Sequence, residues 1–276
     1  MKEKYNFKKL WHDWLWPLIW AVLVVKLVIN PFILEAYQVP TGSMESTILP
    51  GDWLIAEKFS YGLHIPFTKI SILPMTSPRS GQVVVFKSPL DGINLVKRCI
   101  AGGGDTVEVR NKILYINGVQ RNEKFAIHRD SFAVPVMNPP LTQAQFQKEW
   151  ENRHLLQTYA VRDNFGPIVV PKDCFFMMGD NRDESFDSRF WGPLPRNLIR
   201  GRALFVYWSF DRLSEMPLTS LWRRFRLQRI GRKLWQADCK TSTTETRNIR
   251  ITELKTKYTR VSQYLPFGVS VVCSGR

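Results

Sequence analysis

The sequence predicts a mostly β protein: an antiparallel β-sheet body with an N-terminal transmembrane helix and a small inserted segment. Three observations carry this expectation. Residues 14–29 form one apolar run with a single charge, Lys26. From residue 31 onward, short strand-like runs recur between turns rich in Gly, Pro and Asp. A more polar stretch at 119–168 interrupts those runs and carries the one helical pattern of the body.

Composition narrows the class. Of 276 residues, 44% are hydrophobic and 23% charged, which excludes a fully disordered, collagen-like or multi-spanning membrane chain. Four Cys are too few for a disulfide-built miniprotein. Thirty-nine Lys and Arg against 24 acids give a net charge of +15. That excess suits an anionic partner, nucleic acid or a phospholipid surface, or a plain solvated basic surface.

The N-terminal run is marginal for a span, since a bilayer needs ~20 mostly apolar residues. Lys26 lies near its end and can snorkel to the headgroups, and the tryptophans at its start suit an interface belt. Lys2, Lys4, Lys8 and Lys9 precede it, whereas no Lys or Arg occurs between Lys26 and Lys58. The positive-inside rule therefore places residues 1–13 in the cytoplasm, the anchor at 14–30, and the rest on the outer face. Two other readings compete: a cleaved signal peptide, with Thr41-Gly42-Ser43 as a poor cleavage site, and a short buried helix.

Strand-like runs follow at 33–39, 52–57, 82–87, 93–100, 106–110, 113–116, 168–171, 174–178 and 202–208. Asn117-Gly118 is the strongest hairpin signal of the chain. The expected organisation is a β body at 31–118 and 169–235, with 119–168 inserted. Thr142 is a candidate N-cap for a helix over 142–157. Residues 219–235 hold six basic residues and no acid, which fits either a membrane-surface helix or an ordinary basic element. Residues 236–276 form a tail with no clear period.

The chemistry-bearing residues fall in three places. The four His and four Cys show no metal-ligand spacing, so no metal or cofactor is expected. Gly102–Gly104 lack the Lys-Ser/Thr of a phosphate loop. Ser43 sits in a small-residue turn after Pro40, a setting in which most serines are inert. In the 93–100 run, alternation puts Leu95, Lys97 and Cys99 on one face. A lysine among apolar neighbours loses its proton more easily, and a neutral amine can take a serine proton; a lysine that snorkels to an acid is the alternative. Residues 178–192 pack Asp180, Asp183, Asp187, Glu184, Arg182, Arg189, Ser185 and Ser188 behind an apolar strand. Such a loop can be stiffened by bidentate pairs, can be merely solvated, and does not match an EF-hand.

Taken together, Gly42-Ser43-Met44, Pro50-Gly51-Asp52, Lys97-Arg98 and the Gly179–Arg189 loop resemble the bacterial type I signal peptidases, membrane-anchored Ser–Lys endopeptidases. The resemblance covers roughly residues 10–235. It implies Ser43 as nucleophile and Lys97 as general base, with Thr41 in the oxyanion hole and Ser185 orienting the lysine. It implies ion pairs between Asp180 and Arg98 and between Asp187 and Arg189. Tyr37, Val39, Met44, Ile48 and Val96 match or adjoin pockets for small side chains at the substrate's −1 and −3 positions. The implied partners are secreted precursors with signal peptides and membrane phospholipids, not nucleic acid, at the cytoplasmic membrane of a bacterium.

The chain departs from the family pattern at four places. Thr41 replaces the commoner serine, Glu45-Ser46 replaces a Met/Glu-Pro pair, Ala101–Asp105 replaces a Gly-Leu-Pro-Gly-Asp turn, and the tail runs past the usual end. Two rival readings are a membrane-tethered basic binding protein and a self-cleaving Ser–Lys regulator.

Overall fold

The computed structural model describes residues 11–25, 34–61, 63–64, 71–72, 76–138, 140–211 and 224–234. The lysines before the N-terminal run, residues 26–30 of the expected anchor and the tail at 236–276 lie outside them.

Two antiparallel sheets build the body. The larger has the order β1 (Leu34–Gln38), β2 (Asp52–Glu57), β13 (Ile199–Ser209), β5 (Val83–Lys87), β6 (Asn94–Gly102), β11 (Cys174–Met178), β12 (Leu194–Pro195). The smaller has the order β10 (Phe165–Val169), β7 (Thr106–Arg110), β8 (Ile113–Ile116), β9 (Val119–Gln120). Two short strands, β3 (Leu63–His64) and β4 (Ser71–Ile72), pair separately.

Strand β5 explains how the large sheet is covered. Val83 and Val85 enter one apolar cluster with Tyr37, Met44 and Leu54, while Val84 and Phe86 enter another with Cys99, Phe175 and Trp191. All four are fully buried, which is why the strand reads as an unbroken apolar run rather than an alternating one. Lys97 on β6 is paired with Val84 and so shares the second face, between Leu95 and Cys99.

A third cluster joins the smaller sheet to the larger through Ile100, Ala101, Phe176 and Met178. Helix α2 (Gln143–Glu151) closes it. Thr142 caps the helix with Gln145 in a capping box, as its sequence position predicts, and Phe146 and Trp150 face the sheet four residues apart. The helix ends at Glu151, short of the expected 157.

Asn117 and Gly118 both adopt positive φ, 54° and 76°, the conformation of a two-residue hairpin turn, between β8 and β9. Strand β10 begins three residues before the run expected at 168. Gly166 and Pro167 fall where the pairing with β7 shifts register, a place that tolerates a residue with no N–H.

The N-terminal segment is helical: a π-helical turn at Trp11–Leu15 runs into α1 (Trp16–Val24). Trp16, Leu18, Ile19, Trp20, Val22, Leu23 and Val24 are all exposed, so this is not a buried core helix. Among the described residues, no helix is long and apolar enough to cross a membrane.

The described part of the basic 219–235 segment is not a membrane-surface helix. Residues 224–234 bridge Phe210 and Phe205 through Phe225 and Lys233, with one 3-10 turn at Leu227–Arg229. The reason lies in what the side chains reach. Phe225 packs edge-on against Trp208 and Phe210, Leu234 is buried, and Arg229 turns inward to Asp52.

Candidate active site

Ser43 lies on a turn whose base is pinned. Val39 N–H donates to the Asp52 carbonyl and Gly51 N–H to the Val39 carbonyl, both at 2.9 Å. Within it, Glu45 N–H donates to Gly42 and Ile48 N–H to Met44. Met44 and Ile48 sink into the core on either side of the tip, leaving Ser43 half-buried and Thr41 exposed. Among the described residues, neither the Thr41 nor the Ser43 hydroxyl makes a hydrogen bond, so both are open to a ligand.

Lys97 is 4% exposed. Among the described residues its amine forms no hydrogen bond and no ion pair. Burial pushes the ammonium down from 10.5 to about 8; the carboxylate of Asp187 pulls the other way, and Arg189 adds to the lowering. The amine therefore gives up its proton around pH 8, well below a free lysine.

The loop after β11 meets both segments. Asp187 is fully buried and binds Arg189 by two hydrogen bonds of 2.9 Å. Burial opposes its charge, but the Arg189 guanidinium holds the carboxyl below the usual range. Its Oδ2 also accepts from Gly179 N–H at 3.1 Å. Arg189 in turn donates to the carbonyls of Arg162 and Arg182 at 2.6 and 2.7 Å, so the pair knits the loop to the smaller sheet's side.

Gly179 is where Ser43, Ser185 and Asp187 converge. A Cβ built there would stand 2.4 Å from the Ser43 carbonyl oxygen and 2.2 Å from Ser185 Oγ. Only a glycine permits that approach. The Ser43 carbonyl also accepts from Asn181 N–H at 3.1 Å. Ser185 Oγ is buried beside the Asp187 carboxylate, which it helps to keep ionised.

Arg98 and Asp180 form a second buried bidentate pair, at 2.7 and 2.6 Å. The same guanidinium donates to Gly81 O at 2.6 Å and to Thr47 Oγ1 at 2.9 Å, and lies 3.8 Å above the Phe125 ring. It thus links β6, the loop and the turn of Ser43. Tyr37, Val39, Met44 and Ile48 share one buried cluster, with Val96 packed against it.

Sequence reasoning missed several supports. Asp52 is fully buried and is bound by Arg229, Ser209 Oγ and Leu49 N–H. Burial opposes its ionisation, yet the hydrogen bonds from Arg229, Ser209 and Leu49 keep its carboxyl low. Thr47, Asn181 and the segment Phe125–Arg129 were also missed. Their contacts across the site join residues 51 to 182 positions apart in the chain, so no local pattern reports them.

A family model described as signal peptidase, peptidase S26, matches residues 11–208. A signal peptidase I of Pseudomonas aeruginosa is 34% identical over 215 residues, covering 71% of this chain and 73% of its own. That of Aquifex aeolicus is 31% identical over 224 residues, covering 69% and 82%. A solved signal peptidase I from Enterococcus faecalis is 26% identical, covering 47% of this chain and 98% of its own, with a TM-score of 0.32. A match running from the N-terminal helix into the last strand of the large sheet, with relatives above 30% identity along most of the chain, settles the family: this chain belongs to the signal peptidases of family S26.

Proposed function

We propose that Ser43 and Lys97 carry out the signal-peptide cleavage of this family member as a Ser–Lys dyad. The observation that supports it best is Lys97: a lysine 4% exposed, with no ion pair or hydrogen bond among the described residues and a proton affinity lowered to about 8. A lysine kept for structure would be paired, because an unpaired buried charge is costly.

The steps follow from acyl-transfer chemistry. The neutral Lys97 amine takes the Ser43 proton as Oγ attacks the scissile carbonyl. The Thr41 hydroxyl and the Ser43 N–H receive the negative oxygen. The Lys97 ammonium then protonates the leaving amine, and water, activated by the same lysine, hydrolyses the ester. Ser185 orients the lysine. The pairs Arg98–Asp180 and Asp187–Arg189 hold strand and loop in register. Tyr37, Val39, Met44, Ile48 and Val96 floor the pockets that select small residues at −1 and −3.

The N-terminal segment fits an anchor. Helix α1 is apolar on all sides with its side chains exposed, a surface suited to lipid. We place the span at 14–30, residues 1–13 in the cytoplasm and the body at 31–235 on the outer face, beside anionic phospholipid that its basic charge attracts.

The test is direct. The purified chain is incubated with a precursor carrying an Ala-x-Ala site and the new N-terminus is mapped. Cleavage after the second Ala, lost in Ser43→Ala, is the expected result. Turnover by Ser43→Ala near the parent rate would overturn the proposal.

A further inference from the structure

We infer that Arg129 is a positioning residue for the nucleophile, delivered by residues 123–130, which strap the turn of Ser43 to the 179–187 loop. The inference rests on Ser43 being the nucleophile.

The strap leaves the smaller sheet after β9 and runs between the two halves of the site. Its backbone joins the loop as a parallel bridge at Ile127 and Asn181: Ile127 N–H donates to Asp180 O at 2.8 Å, and Arg182 N–H to Ile127 O at 3.0 Å. Its other contacts go to the nucleophile turn. The Ser46 hydroxyl donates to the Phe125 carbonyl, and the Arg129 guanidinium pairs with the Glu45 carboxylate. Ser46 stands where the family pattern has proline, and its hydroxyl makes a contact that a proline could not.

Arg129 is also fixed from behind. Asp183 accepts from the Arg129 and Asp130 N–H groups, both at 2.8 Å, and from Lys112 Nζ at 2.9 Å. The guanidinium therefore stands on a pinned backbone. It lies 3.8 Å from Glu184, which accepts from the Asn181 side chain at 2.8 Å. Asn181 N–H in turn holds the Ser43 carbonyl. Two routes run from Arg129 to Ser43, one through Glu45 within the turn and one through Glu184 and Asn181.

The Arg129 and Glu45 side chains are 47% and 32% exposed, so the pair contributes little to global stability. Its effect belongs in geometry, where small displacements of a reacting group lower turnover steeply. Arg129→Ala, Glu45→Ala, and the exchange Arg129→Glu with Glu45→Arg are assayed in the full chain on the Ala-x-Ala precursor. Arg110→Ala is the control, because the exposed Arg110 contacts Glu108 and the Tyr115 ring within the smaller sheet and does not reach the turn of Ser43. Each single variant is expected to lose roughly tenfold in kcat, with KM within about twofold and an unchanged melting temperature. The exchange should recover part of kcat, because it restores the pair within the turn but not the contact with Glu184. An Arg129→Ala enzyme indistinguishable from Arg110→Ala, a loss that tracks a lower melting temperature, or an exchange no better than the singles would overturn the inference. An active Ser43→Ala enzyme would instead overturn the nucleophile assignment beneath it.

Discussion

Replacing Lys97 by methionine should stabilise the protein while destroying its activity. Burial lowers the folded-state pKa of Lys97 from 10.5 to about 8. At ~1.4 kcal/mol per pKa unit, that gap of about 2.5 corresponds to about 3 kcal/mol held against the folded state at neutral pH. The sign is fixed by the order of the two values. Below pH 8 both states carry the proton and the whole cost is present. Between about 8 and 10.5 the folded amine is neutral while the unfolded chain keeps its proton, so stability rises with pH. Methionine keeps the stem and carries no charge. Compared in a Ser43→Ala background, so that neither protein is active, Lys97→Met should raise stability by about 3 kcal/mol at pH 7, or roughly 6–12 °C in melting temperature. The margin should shrink as pH climbs through the 8 to 10.5 window. Thermal unfolding in detergent at four or five pH values reads both quantities. A methionine variant less stable at pH 7, or a margin that does not change with pH, would refute the reasoning.

Three more expectations concern the site and its supports. Lys97→Arg should be inactive in the precursor assay, since a guanidinium stays protonated at any working pH; wild-type kcat/KM should rise with pH to a midpoint near the amine's value of about 8. Gly179→Ala should lose most activity even where it folds, because its Cβ would displace the Ser43 carbonyl or Ser185, and the gap should show as kcat rather than KM. Arg229→Ala should cost about 3 kcal/mol by leaving Asp52 buried without its main cation. Since the Asp52 carboxyl is held below its usual range by Arg229, that loss should be full at neutral pH and fade as acid protonates the group, which urea titrations at pH 7 and pH 3 would show.

The sequence by itself determined the β architecture, most strand positions and the residues of the family motif. Alternation placed Leu95, Lys97 and Cys99 on one face, and the pairing of Lys97 with Val84 puts them there. Asn117-Gly118 specified its hairpin, and Thr142 its helix cap, because these signals depend only on neighbours in the chain. The tertiary structure alone decided what surrounds Lys97, since desolvation is a property of packing and not of the local string. It also decided that the basic segment at 224–234 turns inward to Asp52 rather than lying as a helix, and that Phe125–Arg129 reaches the turn of Ser43. Those contacts join residues 79 to 177 positions apart. No periodicity encodes such a separation; it is set by the order in which the strands assemble and by which charges burial forces to find partners.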